Sequence, residues 1–163
     1  MRRLGLHAPL VLWFMMLILA GPRVVGAQAA ETSLSQGQTV YVPVHSRVFY
    51  GDRERAFELS VTLSIRNTNG KAPIKLTKVA YYDQTGKLVK DYLEKPLELS
   101  PWNSTRCFIK ESDVTGGAEA FFIVVWQADT KVNPPIIEGV MIGARGQQGV
   151  SFSSQGMPIN DQK

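Results

Sequence analysis

The sequence predicts an all-β protein: a single antiparallel β-sandwich of immunoglobulin-like type, with about seven to eight strands, preceded by a signal peptide. In residues 57–67 (FELSVTLSIRN), apolar and polar side chains alternate strictly. Because side chains on a strand point to opposite faces, this run has one dry face and one wet face. Further short apolar runs are separated by Gly, Pro, Asn and Asp, and none has a helical period. This pattern is typical of a β-sandwich or a small barrel, and we predict the sandwich.

The N-terminal segment has the organisation of an export signal. Arg2 and Arg3 precede an apolar run at residues 10–20, and a small-x-small cleavage motif ends at Ala29, with a second ending at Ala27. The apolar run is about half of the ~20 residues that a membrane span needs. We therefore expect cleavage near Ala29 or Ala27 and a periplasmic or secreted protein. The alternative is an uncleaved anchor in the inner membrane, which would be the chain's only membrane contact.

These features divide the chain into four parts. Residues 1–29 are the signal peptide, and residues 30–38 are polar, small and expected to be a flexible lead-in. Residues 39–153 form the β-sandwich, because this length suits one domain and not two. Residues 154–163 are expected to be a flexible tail.

Composition excludes several classes of function. Three of the 18 Lys and Arg lie in the N-terminal segment, so the remainder nearly balances the 14 Asp and Glu, which argues against a nucleic-acid partner. Cys107 is the only cysteine, so no intrachain disulfide forms, and we expect it to be a small buried hydrophobe. His45 is the only histidine after the signal segment. We therefore expect no zinc or blue-copper site, no metal and no cofactor.

The first part of the domain combines strands with charged or polar turns. Residues 39–48 have strand composition, but Pro43 cannot donate to a ladder, which predicts a sheet edge or a bulge. Residues 50–55 (YGDRER) form a charged turn. After the alternating run, residues 67–73 form a polar loop whose Asn-Gly pair suits the positive φ angles of a tight reversal.

A β-hairpin follows. Residues 74–82 form a strand whose apolar alternation changes phase, so we predict a bulge near Thr77 and Lys78. Residues 83–86 (DQTG) form the turn, and residues 87–93 form the partner strand.

The rest of the chain predicts shorter elements. Residues 120–126 (AFFIVVW) are apolar on both faces and rich in β-branched and aromatic side chains, which favours a central strand. The other expected elements are a crossing at 95–103, a strand at 104–110, a loop at 111–119, a strand at 136–142 and a short strand at 150–152.

Several stretches spread over most of the domain carry a resemblance to a known family: residues 40–55, 63–69, 81–93, 113–126, 132–143 and 147–152. On these stretches the domain resembles a family of small exported bacterial proteins of unknown function. This resemblance implies bacterial export but no activity. A looser likeness, over residues 63–69 and 74–89, is to the sandwich domains of late-embryogenesis-abundant, water-stress type proteins, and a fold analogy of this kind does not carry function.

We therefore expect a non-catalytic binding or structural module of the bacterial cell envelope. Its partner would be an envelope protein bound through loops or strand edges, with the Pro-marked strand and residues 132–136 available for strand addition. Aromatic and Arg side chains dominate binding hot spots. No catalytic residue is expected, and the candidate binding residues are Tyr50, Asp52, Arg53, Arg55, Asp113, Asn133 and Arg145.

Two alternatives stay open. A carboxylate-dependent hydrolase would need Asp52 or Glu54 to converge with Asp113 or Glu119 in a concave pocket. A small-ligand-binding protein of the periplasm is the other alternative.

Overall fold

The computed structural model describes residues 33–159, and the expected signal peptide lies outside them. The chain divides into the units Met1–Glu31 and Thr32–Lys163, and the described residues belong to the second. Every regular element of this part of the chain is a β-strand, which confirms the all-β prediction. The strands are β1 (Ser35–Val44), β2 (Arg47–Tyr50), β3 (Arg55–Glu58), β4 (Ser60–Arg66), β5 (Ile74–Tyr82), β6 (Leu88–Asp91), β7 (Leu97–Leu99), β8 (Ser104–Ile109), β9 (Ala120–Val132), β10 (Ile136–Arg145), β11 (Gln148–Gln155) and β12 (Met157–Ile159).

The largest sheet is antiparallel, with the strand order β12-β1-β9-β5-β6, and β7 also pairs with β5. Its centre is β9, which pairs with β1 on one side and with β5 on the other. Phe122 shows this, since it lies opposite Val42 of β1 and Tyr81 of β5, and all three side chains are buried. The predicted central strand is confirmed.

The predicted bulge in β5 is also confirmed. The register of β5 against β9 shifts between Leu76 and Lys78. Because the extra residue reverses the alternation, Leu76 and Val79 are both buried although they are three residues apart. The turn to β6 closes through Gly86, whose φ is +82°.

The second sheet has four antiparallel strands in the order β11-β10-β4-β8. The alternating run at 57–67 supplies its strand β4, and every predicted apolar position of that run is buried. The run also changes partner at Leu59: β3 pairs with β2 in a separate two-stranded hairpin, and β4 pairs with β10 and β8. At the change, the Leu59 N–H donates to the carbonyl of Ser46 at 2.9 Å.

One hydrophobic core serves both sheets. It combines Trp126 and Phe122 of the large sheet with Leu63 and Met141 of the four-stranded sheet, and all four are buried. Burying a side chain of this size contributes about 1.5–3 kcal/mol relative to exposure. The cluster also includes Phe57, which fixes the β2–β3 hairpin to the core.

The loop between β4 and β5 is held by a buried asparagine. The Asn67 side chain donates to the carbonyls of Ala72 at 3.0 Å and Leu99 at 3.1 Å, and accepts from the Asn69 N–H at 2.9 Å. Neither Asn69 nor Gly70 has the positive φ that a tight reversal would use. The chain here passes from one sheet to the other, so side-chain hydrogen bonds replace the turn.

The expected edge strand is internal. β1 lies between β12 and β9, so the prediction that Pro43 marks a sheet edge is wrong for the strand as a whole. The pairing with β12 ends at Tyr41, opposite Met157, so Pro43 lies beyond it. The missing N–H therefore costs no ladder hydrogen bond on that side.

The residues 33–159 contain more strands than the seven or eight expected. Residues 39–48 divide at His45 and Ser46 into β1 and β2, and β1 begins at Ser35, within the expected lead-in. Residues 154–159, expected to belong to a flexible tail, complete β11 and form β12. Gly156 crosses between the two sheets there, and its N–H donates to the carbonyl of Ile137 at 2.8 Å. A three-residue strand containing proline has no sequence signal of its own, and its order comes from pairing with β1.

Candidate functional site

Three loop regions enclose a cleft with a volume of about 450 Å³, which we name the hairpin cleft. One wall is the β2–β3 hairpin, through Arg47 and Phe49. The second is the β5–β6 turn, through residues 83–85, and the third is the β8–β9 loop, through residues 114–118.

The hairpin wall presents one cation and one aromatic ring. Arg47 and Phe49 are two residues apart on β2, so their side chains share a face of the hairpin. Phe49 is 55% exposed. The Arg47 Nε is buried and has no hydrogen-bond partner among residues 33–159. Glu58 lies opposite Arg47 on β3, but its carboxylate binds Arg145 at 2.9 Å.

The floor of the cleft is a close contact that only glycine permits. A Cβ atom added to Gly116 would lie 1.7 Å from the Tyr81 hydroxyl oxygen and 2.8 Å from the Ala120 Cβ. That hydroxyl shares a buried 2.8 Å hydrogen bond with the Ser46 hydroxyl. Burial raises the pKa of Tyr81, so the phenol remains protonated at neutral pH.

Hydrogen bonds to the β8–β9 loop hold the walls together. The Ser46 N–H donates to the carbonyl of Gly117 at 3.2 Å, and the Gln84 N–H donates to that of Gly116 at 3.1 Å. The His45 Nδ1 bonds to the carbonyl of Ala118, so this nitrogen carries the proton. One loop thus receives bonds from both neighbouring walls, and the cleft is preorganised.

The turn wall is fixed by Asp83. Its Oδ1 accepts bonds from the Thr85 hydroxyl at 2.7 Å, the Thr85 N–H at 2.8 Å and the Lys87 N–H at 3.0 Å. The Thr85 hydroxyl is the main reason that the pKa of Asp83 is lowered. The carboxylate therefore acts chiefly as a turn-forming group.

The structure places five of the seven predicted binding residues on or against the β2–β3 hairpin. Tyr50 packs edge-on against Phe57, with ring centroids 6.3 Å apart, and Arg55 is its cross-strand neighbour. Arg145 lies over the same Phe57 ring, with its guanidinium carbon 5.6 Å from the ring centroid, and it also binds Glu58. The Phe57 ring therefore contacts both Tyr50 and Arg145, and Arg55 joins this group as the cross-strand neighbour of Tyr50.

Asp52 and Arg53 are exposed in the turn of the same hairpin, where Gly51 has a φ of +68°. The remaining two predicted binding residues lie elsewhere. Asp113 lies in the β8–β9 loop, and its carboxylate accepts from the Thr115 N–H at 3.2 Å. Asn133 is exposed in the β9–β10 connection.

Arg47 and Phe49 are not among the binding residues predicted from the sequence. The available signal was their spacing of two on a short strand beside a Gly-Asp turn. The sequence could not predict that position 116 requires glycine, because the requirement comes from contact with Tyr81 on a distant strand.

The carboxylates of the hydrolase alternative are not gathered in this cleft. Asp52, Glu54 and Glu119 are exposed, Asp113 is half-buried, and none of them lines the cleft. In the part of the chain that the structure describes, there is no group of three or more potential metal-ligating His, Cys, Asp or Glu side chains.

Cys107 is half-buried on β8. Burial raises the pKa of its thiol to about 11, despite an opposing effect of Lys90. A catalytic thiolate requires the opposite shift.

The fold is that of an antiparallel all-β protein with two main sheets and a separate two-stranded hairpin, and no helix between residues 33 and 159 could cross a membrane. Residues 37–159 match the family described as "Protein of unknown function (DUF3124)", and the chain belongs to this family. This confirms the resemblance inferred from the sequence. Among solved structures, one from Thermotoga maritima, described as "Thermotoga maritima 1070", is 12% identical with a TM-score of 0.45. The similarity covers 74% of this chain and 92% of that one, and carries no argument at this TM-score. No curated protein matches the chain.

Proposed function

We propose that this protein is a non-catalytic binding module of the bacterial cell envelope, and that it contacts a partner protein through the β2–β3 hairpin and the adjoining hairpin cleft. The observation that carries this proposal is the exposure of two consecutive aromatic side chains on that hairpin, which point to its opposite faces. Phe49 is 55% exposed and Tyr50 is 45% exposed. Aromatic and Arg side chains are enriched in binding hot spots.

The arrangement of charges supports the same surface. Arg53 and Arg55 are exposed on the hairpin, Arg55 lies opposite Tyr50, and Arg145 lies over the Phe57 ring. Phe57 anchors the hairpin in the core, so a partner would meet a preorganised surface. Preorganisation reduces the entropic cost of binding.

Strand addition at β1 is not part of the proposal, because β12 and β9 flank that strand. The connection at residues 133–135 is also engaged, since the Thr68 hydroxyl donates to the carbonyl of Pro134 at 3.2 Å. The loops therefore replace these edges as the proposed contact region.

The proposal also includes export of the protein and an immunoglobulin-like arrangement of its two sheets. The basic residues, apolar run and small-x-small motif of residues 1–29 support a cleaved signal peptide and a periplasmic or secreted location, with an inner-membrane anchor as the alternative. Two antiparallel sheets around one core support the immunoglobulin-like sandwich. Cell fractionation of the full chain, with the mass of the mature protein, tests cleavage and location together.

Site-specific photocrosslinking tests the binding surface. A benzophenone amino acid is placed in the full chain at Phe49 or Tyr50, and at Ile142 or Met157 as controls. The controls are comparably exposed, at 52% and 61%, and lie on other strands. We expect the same discrete crosslinked protein from both hairpin positions and none from the controls. Crosslinks of equal yield at all four positions, or none at the hairpin, would contradict the proposal.

A further inference from the structure

An unsatisfied donor distinguishes the hairpin cleft from the rest of the described surface. Two buried side-chain N–H groups have no hydrogen-bond partner within residues 33–159: the Trp126 Nε1 and the Arg47 Nε. Trp126 belongs to the core. Arg47 lines the cleft. An unpaired buried donor is costly. Because this Nε is out of contact with solvent, a ligand in the cleft would act on the charge of the guanidinium and not on the Nε–H itself.

The acids around Arg47 have other partners. Glu58, across the hairpin, binds Arg145, and Asp83, across the cleft, accepts bonds from its own turn. The ion pairs found between residues 33 and 159 are Arg66–Glu138 and Arg145–Glu58, and neither involves Arg47. The guanidinium therefore keeps a positive charge that no acid of the described chain neutralises by direct contact.

The walls around this charge are partly apolar. Phe49 is 55% exposed and Val114 is 36% exposed, and both line the cleft. A volume of about 450 Å³ lies within the usual range for pockets that bind small groups. The combination of one cation with two exposed apolar side chains suits a ligand that carries an anion beside an apolar group. A carboxylate is the anion that a guanidinium recognises best in proteins, together with phosphate.

We infer that the hairpin cleft binds a carboxylate carried next to an apolar side chain on the partner polypeptide, with the Arg47 guanidinium as the cation and Phe49 and Val114 as the apolar contacts. This inference rests on the proposed function and specifies its ligand. Gly116 and the loop hydrogen bonds hold the cleft open in the geometry that the ligand meets.

The test compares peptides that differ only in charge. The probes are acetyl-Gly-Gly-Phe with a free carboxylate, the same peptide as its C-terminal amide, and acetyl-Gly-Phe-Asp-amide, which moves the carboxylate to a side chain. Binding to the full chain is followed by ¹⁵N-resolved NMR, which observes the Arg47 Nε–H directly. We expect the two carboxylate probes to shift this signal, and at least one to bind at least tenfold more tightly than the amide.

Variants assign the effect to the residues. Arg47→Gln should remove the preference for the carboxylate, whereas Arg53→Gln, on the same hairpin but outside the cleft, should keep it. Phe49→Ala should weaken the binding of the carboxylate and amide peptides by the same factor. A chain ending at Ile159 should show the same Arg47 signal as the full chain. A changed signal would identify the chain's own terminus as the acceptor and overturn the inference.

Equal affinity of the carboxylate and amide peptides for the unaltered protein would also overturn it, and that comparison needs no variant to fold. If the carboxylate peptides do not bind while a protein crosslinks at Phe49, the proposed function stands and the predicted ligand class is wrong. If 3-phenylpropionate binds at Arg47 but no protein crosslinks at Phe49, the prediction of a polypeptide ligand is wrong and the cleft binds a free acid.

Discussion

Replacing Gly116 with alanine tests whether the floor of the hairpin cleft depends on close packing against Tyr81. The added Cβ would lie 1.7 Å from the Tyr81 hydroxyl oxygen and 2.5 Å from Cζ, far inside contact distance. Tyr81 is buried, so it cannot swing into solvent. Overpacking a core costs about 1–3 kcal/mol. Displacing the hydroxyl from Ser46 adds about 1 kcal/mol. We therefore expect a loss of about 2–4 kcal/mol of unfolding free energy.

Urea denaturation followed by tryptophan fluorescence measures this loss. With a slope of about 2 kcal/mol per molar urea, the midpoint should fall by about 1–2 M. Gly149→Ala is the matched control, because its added Cβ would meet nothing closer than 3.9 Å and its φ is not positive. That control should stay within about 0.5 kcal/mol of the unaltered protein.

A double-variant cycle makes the reasoning specific. Tyr81→Phe removes the atom nearest to the added methyl group, so Gly116→Ala should cost less in that background than in the unaltered protein. If Gly116→Ala leaves the urea midpoint unchanged, or if the two substitutions are strictly additive, then contact with Tyr81 is not what requires glycine at this position.

The remaining predictions concern groups away from the cleft floor. Since burial raises the pKa of Cys107 to about 11, its thiolate fraction at pH 8 is about 100-fold below that of a thiol of pKa about 9, while its greater basicity makes the thiolate more nucleophilic. The thiol should therefore react with a disulfide reagent about 10-fold more slowly, and an equal rate would contradict the burial. The pKa values of Cys107 and of Tyr92, raised by burial to about 12, mean that the folded state holds these protons more tightly than the unfolded state. Stability should therefore be complete below pH about 9 and fall as the pH rises through about 11 and 12, which thermal melts at stepped pH would measure. Asn67→Ala leaves buried loop carbonyls unpaired and should cost about 2–3 kcal/mol in urea denaturation, and a loss below about 0.5 kcal/mol would show that water replaces the amide. Arg66→Ala breaks a 2.8 Å ion pair with Glu138 in which the arginine is half exposed, so it should cost less than about 1 kcal/mol, and less again in high salt.

Local patterns in the sequence predicted most of the strands. Alternation across residues 57–67 predicted the buried face, since period-two burial is a property of consecutive residues. The phase change near Thr77 predicted the bulge in β5 for the same reason. The apolar, β-branched and aromatic content of residues 120–126 predicted the central position of β9, which pairs with both β1 and β5 and buries alternate side chains such as Phe122 and Val124.

Long-range pairing was beyond such patterns. β12 is three residues long and contains Pro158, so its order comes from β1, more than a hundred residues earlier in the chain. The interior position of β1 depends on that same contact. At the candidate site, Phe49 and Arg47 follow the alternation rule, but the cleft exists only because the β5–β6 turn and the β8–β9 loop fold beside them. The spacing of residues along the chain does not predict that these three elements lie side by side.

Because the chain crosses at Gly156 from one sheet to the other, the C-terminal strands of the domain connect the two sheets. β11 belongs to one sheet and β12 to the other, and they are one residue apart. A protease that cut beside Gly156 would release β12 and uncover the hydrogen-bonding groups of β1. An uncovered strand of this kind is a template for self-assembly. The last residues of the fold thus protect the domain from aggregation, although they contribute little to its core.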